Sequence, residues 1–212
     1  MDASALHGLR LRTARLELRL GTGAELLELG RIAQSGIHPP ETVPFSVPWT
    51  DEAGEPGFLE DFVAYHEGKL AEWSPEDWAL GLLVWEHGLL VGTQETYAKD
   101  FARCGVVGTG SWLGRPFQAM GIGTEMRAAA LELAFVGLGA ACAKSDWLEG
   151  NDGSRRVSEK LGYRDDGVAE ASPRGDPVRQ HRMRLDHSDW HSPFEVLIEG
   201  LEPCRHLFGG SF

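Results

Sequence analysis

Apolar and polar positions alternate along Leu9-Arg-Leu-Arg-Thr and again along Arg15-Leu-Glu-Leu-Arg-Leu. This period of two predicts a half-buried strand across the stretch. From Gly21 to Leu29 the spacing becomes helical. It does so again from Phe58 to Trp73, where Phe58, Phe62, Tyr65 and Leu70 fall on one predicted face. Between these helices, Pro39, Pro40, Pro44 and Pro48 exclude regular structure from residues 37–50. A loop of that length carrying aromatics, here Phe45 and Trp49, is often functional.

Trp78 to Trp85 is short and nearly all apolar, the pattern of a strand buried on both faces. His87-Gly88 predicts a tight hairpin turn and Leu89 to Tyr97 its returning partner. A second turn over Lys99 to Arg103 leads into a third strand, Cys104 to Leu113, interrupted by Gly105, Gly108 and Gly110. Glycine inside a strand marks a bulge or a close approach by ligand or backbone. A helix follows Gly121, with Ile122, Met126, Ala129, Leu133 and Val136 on one face and Gly137 and Gly139 at its end. Ala140 to Leu148 is the next strand, and a strand–helix–strand unit of this length makes the two strands parallel. Asn151 to Ser154 supplies capping residues for a short helix that stops at Gly162. Tyr163 to Glu170 and Val178 to Leu185 form a closing hairpin, and Phe194 to Ile198 is a last apolar stretch. The elements predict a single α/β (α+β) domain over residues 1–186 with a mixed, mostly antiparallel sheet. A C-terminal extension over residues 187–212 packs on it or lies at a subunit interface. The unpaired apolar strand in that extension makes a homo-oligomer the expected state.

Composition narrows the partners. The 212 residues carry 20 Lys and Arg against 32 Asp and Glu, a net charge of -12. Nucleic acid and anionic membrane surfaces need a basic field, so neither is an expected partner, and a cationic amine suits the chain better. The most apolar run, Ala128 to Ala143, contains Glu132 and is too short to span a bilayer. The start of the chain has neither a basic n-region nor an apolar core of a signal peptide. Cys104, Cys142 and Cys204 are far apart and form no Cys-x-x-Cys pair, which fits a cytoplasmic protein with no metal site.

The chemistry concentrates in Ser111-Trp-Leu-Gly-Arg-Pro-Phe-Gln118-Ala-Met-Gly121-Ile-Gly123-Thr124. A loop that opens a helix at Gly121 presents unpaired N–H groups and the positive end of a helix dipole, a seat for an anion, most often phosphate. A dinucleotide fingerprint would need a third glycine near the start of the chain. A P-loop would need Gly-Lys-Ser/Thr, but Gly123 is followed by Thr124-Glu125. Gln118-x-x-Gly121-x-Gly123 behind a meander, with Trp112-Leu113-Gly114 before it and Asn151-x-x-Ser154…Lys160-Leu-Gly-Tyr163 after it, resembles the GNAT acyltransferase superfamily. It is similar to the RimJ/RimL branch of ribosomal-protein N-terminal acetyltransferases over about Leu9 to Leu185. Pro44-Phe-Ser-Val-Pro-Trp-Thr, Gly123-Thr-Glu-Met-Arg-Ala-Ala and Cys204-Arg-His-Leu-Phe-Gly further resemble a mycobacterial subgroup regarded as using succinyl-CoA.

The resemblance implies a GNAT fold with helices on both faces of the sheet and a V-shaped splay between its fourth and fifth strands. It implies acetyl-CoA or succinyl-CoA as co-substrate. The main chain of Gln118, Ala119, Met120, Gly121, Ile122, Gly123 and Thr124 would hold the pyrophosphate. Ser111, Trp112 and Leu113 would line the pantetheine arm, with a main-chain N–H near Leu113 for the oxyanion. Asn151 would contact that arm, and Ser154 would protonate the departing thiolate. The acceptor would be a small-molecule or peptide amine that attacks the thioester directly. Many relatives carry a glutamate where this chain has Gly108, so the base falls to Glu95, with Asp100 or a water chain as alternatives. A succinyl carboxylate would need a cation such as Lys99 or Arg103. Two other readings stay open: a coenzyme A-binding regulatory or scaffold module without turnover, and an aminoglycoside-type antibiotic N-acetyltransferase.

Overall fold

The computed structural model describes residues 2–210. Residues 1, 211 and 212, the outer ends of the two segments named above, lie outside the described residues. In chain order the elements are β1 (Arg10–Arg12), β2 (Leu16–Arg19), α1 (Gly23–Gln34), α2 (Phe58–Ala71), β3 (Asp77–Glu86), β4 (Leu89–Lys99), α3 (Phe101–Cys104), β5 (Val106–Leu113), α4 (Ile122–Glu132), β6 (Cys142–Leu148), α5 (Asp152–Lys160), β7 (Arg164–Ala171), β8 (Val178–Asp186) and β9 (Leu197–Glu199). The strands form one sheet in the order β7-β8-β6-β5-β4-β3-β2-β1-β9. Every pairing is antiparallel except β5 with β6, as the crossover through α4 requires. This is the mixed α/β architecture expected.

Two cores cover the two faces. The larger packs Met126, Ala129 and Leu133 of the α4 segment against Leu18, Leu80, Leu82, Val84 and Val107 of the sheet. The smaller packs Leu26 and Leu29 of α1 and Phe58 and Phe62 of α2 over Leu83 and Leu90. Leu82 and Leu83 enter different cores because adjacent strand residues point to opposite faces. α1 starts at a capping box in which the Thr22 side chain accepts from the Glu25 N–H and the Glu25 carboxylate accepts from the Thr22 N–H.

The structure corrects several details of the sequence reading. The alternating stretch at Leu9 to Leu20 is two strands, β1 and β2, paired Leu11 to Leu18 around a turn. The splay therefore lies between β5 and β6 in chain order. Cys104 closes the one-turn helix α3, and β5 begins at Val106. Tyr65 is 56% exposed, with Lys69 over its ring, so it does not share the buried face of Phe58 and Phe62. Val136 is 62% exposed, since Leu133–Gly137 is a π turn whose extra residue per turn rotates it out of the stripe begun by Ile122. The neighbour that Phe194 to Ile198 lacked is in the same chain, where β9 pairs with β1, Leu11 to Ile198. Beyond β9, Phe208 is buried and its carbonyl accepts from the Trp78 indole at 3.2 Å.

Candidate active site

β5 and β6 pair over only three residues, Val106 with Cys142, Val107 with Ala143 and Gly108 with Lys144. Past that point β5 stays with β4 as far as Leu113, while β6 stays with β8 as far as Leu148. The two strands thus diverge, and the β6-facing edge of β5 from Thr109 to Leu113 has no strand partner. Ser111, Trp112 and Leu113 all lie on this arm. An unpaired strand edge is the main-chain surface on which an extended, amide-containing chain can add.

The open edge runs into the glycine loop. Gln118 donates from Nε2 to the carbonyls of Leu113, at 2.8 Å, and Ile37, at 2.6 Å, tying the loop to the strand end and to the proline-rich segment. Ala119 and Gly121 both have positive φ, +61° and +82°. Gly121 occupies the N-cap position of α4, where a side chain on a left-handed backbone would be strained. Among the described residues, the backbone N–H groups of Ala119, Met120, Gly121, Ile122 and Gly123 have no protein acceptor. The Thr124 and Glu125 N–H groups return to the Gly121 carbonyl. Donors without acceptors at the start of an eleven-residue helix are main-chain groups on which an anion can sit. Arg15, which the sequence reading did not single out, fixes this corner. Its guanidinium donates to the Met120 carbonyl, to the buried Glu125 and to Glu86, and Thr13 also donates to Glu125.

Asn151 caps α5, its Oδ1 accepting from the Ser154 N–H at 3.1 Å. Its Nδ2 donates to the Pro44 carbonyl, so the same side chain holds the loop between α1 and α2. Arg174, in the β7–β8 turn, holds that loop through paired bonds to Asp51. Trp49 completes its anchoring by packing between Phe45, Phe58, Phe62 and Trp112. Arg155 and Arg156 pair with Asp152 on the exposed side of α5, and His181 stacks on Trp147 at 3.9 Å between ring centres.

On the α2 face, a cavity of about 610 Å³ opens beside the splay, lined among others by Lys69, Glu95, Tyr97, Gly108, Lys144 and Asp146. Glu95 pairs in register with Gly110 on β5. Burial pushes its carboxyl above the ordinary range, partly opposed by the Lys69 ammonium. Burial likewise raises Asp146, against the pull of Arg182 and Lys144. At Gly108 a Cβ would lie 2.3 Å from the outer end of the Tyr97 ring, itself 42% exposed, so a larger residue there requires that ring to swing aside. Tyr97 and Asp146 escaped the sequence reading, although the period of two on β4 places Tyr97 on the same side as Glu95. Of the two proposed succinyl contacts, Lys99 lines the cavity and pairs with Asp77; Arg103 pairs with Asp100 outside it. Asp100 is on the surface, away from the cavity lining.

An open strand edge that ends in a main-chain anion seat at a crossover helix is the architecture of a CoA-dependent acyltransferase. A sequence model described as Acetyltransferase (GNAT) domain matches residues 15–164, and the chain belongs to this family of acyltransferase enzymes. Solved structures share the fold. A RimL ribosomal-protein alpha-N-acetyltransferase in complex with coenzyme A is 14% identical, with a TM-score of 0.67 over 82% of this chain and 95% of that one. RimJ of Mycobacterium smegmatis, in complex with a CoA disulfide, is 17% identical, with a TM-score of 0.69 over 86% and 88%. The microcin self-immunity acetyltransferase MccE, in complex with acetyl-CoA and AMP, is 18% identical, with a TM-score of 0.65 over 82% and 93%. No described helix is long and apolar enough to cross a membrane, and no described group of His, Cys, Asp and Glu could hold a metal.

Proposed function

We propose that the chain transfers an acyl group from acetyl-CoA to a primary amine by direct attack within a ternary complex. The observation that carries this reading is the set of five unpartnered N–H groups, Ala119 to Gly123, at the end of the unpaired β5 edge. The pyrophosphate occupies that seat and the pantetheine arm lies along Thr109 to Leu113, which brings the thioester to the apex of the splay beside the cavity. The amine nitrogen attacks the carbonyl carbon, and Glu95 takes the proton it sheds, directly or through water. A main-chain N–H near Leu113 stabilises the oxyanion. The C–S bond then breaks, and Ser154, whose N–H is held by Asn151, passes a proton to the thiolate as its own hydroxyl takes one from solvent water. Support for Glu95 comes from its half-buried place on the cavity wall and its raised pKa.

The acceptor is a cationic amine, either a peptide N-terminus or a small molecule, a choice supported by the net charge of -12 and by Glu95 and Asp146 in the cavity. Succinyl-CoA is a second donor, supported by the cations Lys69, Lys99 and Lys144 in the same lining. Val136 and Leu197, exposed beside the C-terminal segment, support self-association, which sedimentation would measure. Thiol release from acetyl-CoA and succinyl-CoA, measured against peptide, lysine and aminoglycoside amines, tests the activity. Amine-dependent release with either donor is the expected result. No saturable coenzyme A binding and no release with any amine would end the proposal.

A further inference from the structure

α4 buries two charged side chains two residues apart, and it treats them differently. Glu125 meets the guanidinium of Arg15 and the hydroxyl of Thr13. Arg127, 4% exposed, meets no carboxylate among the described residues. Its Nη1 donates to Ser145 and Ser158, both at 3.0 Å, and its Nη2 to Ser111 at 3.1 Å. Its Nε–H has no protein acceptor. Burial pulls the guanidinium pKa down, opposed only by the hydroxyls of Tyr163 and Tyr97.

The three serines sit at telling places. Ser111 is on β5 and Ser145 on β6, both beyond the last β5–β6 pair at Gly108 and Lys144, so they stand on opposite arms of the splay. Ser158 is on α5, four residues after Ser154. One rigid, planar fork thus bridges both arms and the helix beside them. Stability alone is a poor reason for this arrangement, because an apolar side chain often replaces a buried ion without loss. Serine hydroxyls solvate the cation without neutralising it.

We infer that Arg127 is a positioning residue that sets the gap between β5 and β6, and so the fit of the pantetheine arm; the inference rests on the acyl-CoA reading above. The pyrophosphate seat is built from main-chain groups of Ala119 to Gly123, and none of these bonds to Arg127. Arg127 therefore acts on one half of the coenzyme and not on the other.

Calorimetry with coenzyme A, and with its adenosine nucleotide half lacking the pantetheine arm, separates the two. Arg127→Met should weaken coenzyme A about tenfold while the nucleotide half stays within about twofold. Its melting temperature should hold or rise, and Arg127→Lys should recover part of the loss. Equal weakening of both ligands, or of neither, overturns the inference. If Arg127→Met does not fold, the Ser145→Ala/Ser158→Ala pair, which keeps Arg127 and the β5 edge, must show the same split; equal effects there overturn it. A wild-type protein that binds neither ligand removes the acyl-CoA reading and this inference together. A missing split confined to the variants removes this inference alone.

Discussion

The regions proposed above as the donor side and the acceptor side of this molecule are built from different materials. The donor side is main chain: N–H groups from Ala119 to Gly123 and a strand edge ending at Leu113, all within fifteen consecutive residues. The acceptor side is side chains from α2, β4, β5, β6 and β8, brought to one cavity by the sheet order, while the loop held at Asp51, Pro44 and Trp49 packs beside Trp112 on β5. Main-chain recognition is local, so it can be fixed by a few glycines. Side-chain recognition is assembled across the sheet, so it is free to change without disturbing the seat.

Four experiments press on that contrast. Gly121→Val should have the largest effect, since a β-branched residue cannot adopt φ +82° without strain and the seat depends on that turn. Coenzyme A affinity should fall about 1000-fold, ~4 kcal/mol, by calorimetry. Wild-type affinity in a folded variant would show that the seat is not made of main chain.

Glu95→Gln should leave coenzyme A binding unchanged and lower kcat about 100-fold. Burial raises the Glu95 pKa, so the wild-type rate climbs with pH through that raised value, and the variant should lack this limb. The sign for stability is opposite. The folded state binds the proton more tightly, so stability is lost as pH rises from the unfolded carboxyl value through the folded one. The glutamine variant should therefore melt higher at neutral pH while turning over more slowly. An unchanged pH–rate profile removes Glu95 as the base.

His66, on α2 beside Phe62, is held by burial at a pKa of about 4 against an ordinary 6.5. The unfolded chain takes up this proton first, so stability falls as pH drops from 6.5 toward 4, by about 3 kcal/mol. His66→Gln should flatten that slope in urea titrations at stepped pH. An unaltered slope would mean that the α2 face is wetter than its packing indicates. Arg174→Ala should have the smallest effect, because the pair with Asp51 is exposed and such pairs contribute little. The KM for the amine should rise about threefold, with faster proteolysis between residues 37 and 57 and no change in coenzyme A affinity.

Legibility in the sequence follows the same division. Hydrophobic periodicity gave the meander, the crossover and the closing hairpin, because each depends on residues near in sequence. It failed where one extra residue mattered, at the π turn that exposes Val136, and where a strand pair hid inside one alternating run, at β1 and β2. The expectation of free N–H groups over Gln118 to Thr124 matches the geometry from Ala119 to Gly123, since a turn and a helix start suffice, but the Gln118 and Thr124 N–H groups are taken by the Arg115 and Gly121 carbonyls. Arg15, Tyr97, Asp146 and Arg127 could not be read, since each acquires its meaning from a partner more than ten residues away. The absent carboxylate at Gly108 was visible, but the Tyr97 ring that lies against it was not.

That ring has a consequence for how the proposed acceptor wall can be remodelled. A Cβ at 108 would meet Cζ, Cε2 and Oη of Tyr97 at 2.3, 2.4 and 2.6 Å, and these atoms are the outer end of a ring that is 42% exposed. The plate can turn toward solvent through its χ1 angle, so a larger residue at 108 needs no second substitution. A laboratory library varying one site at a time could therefore reach a carboxylate there.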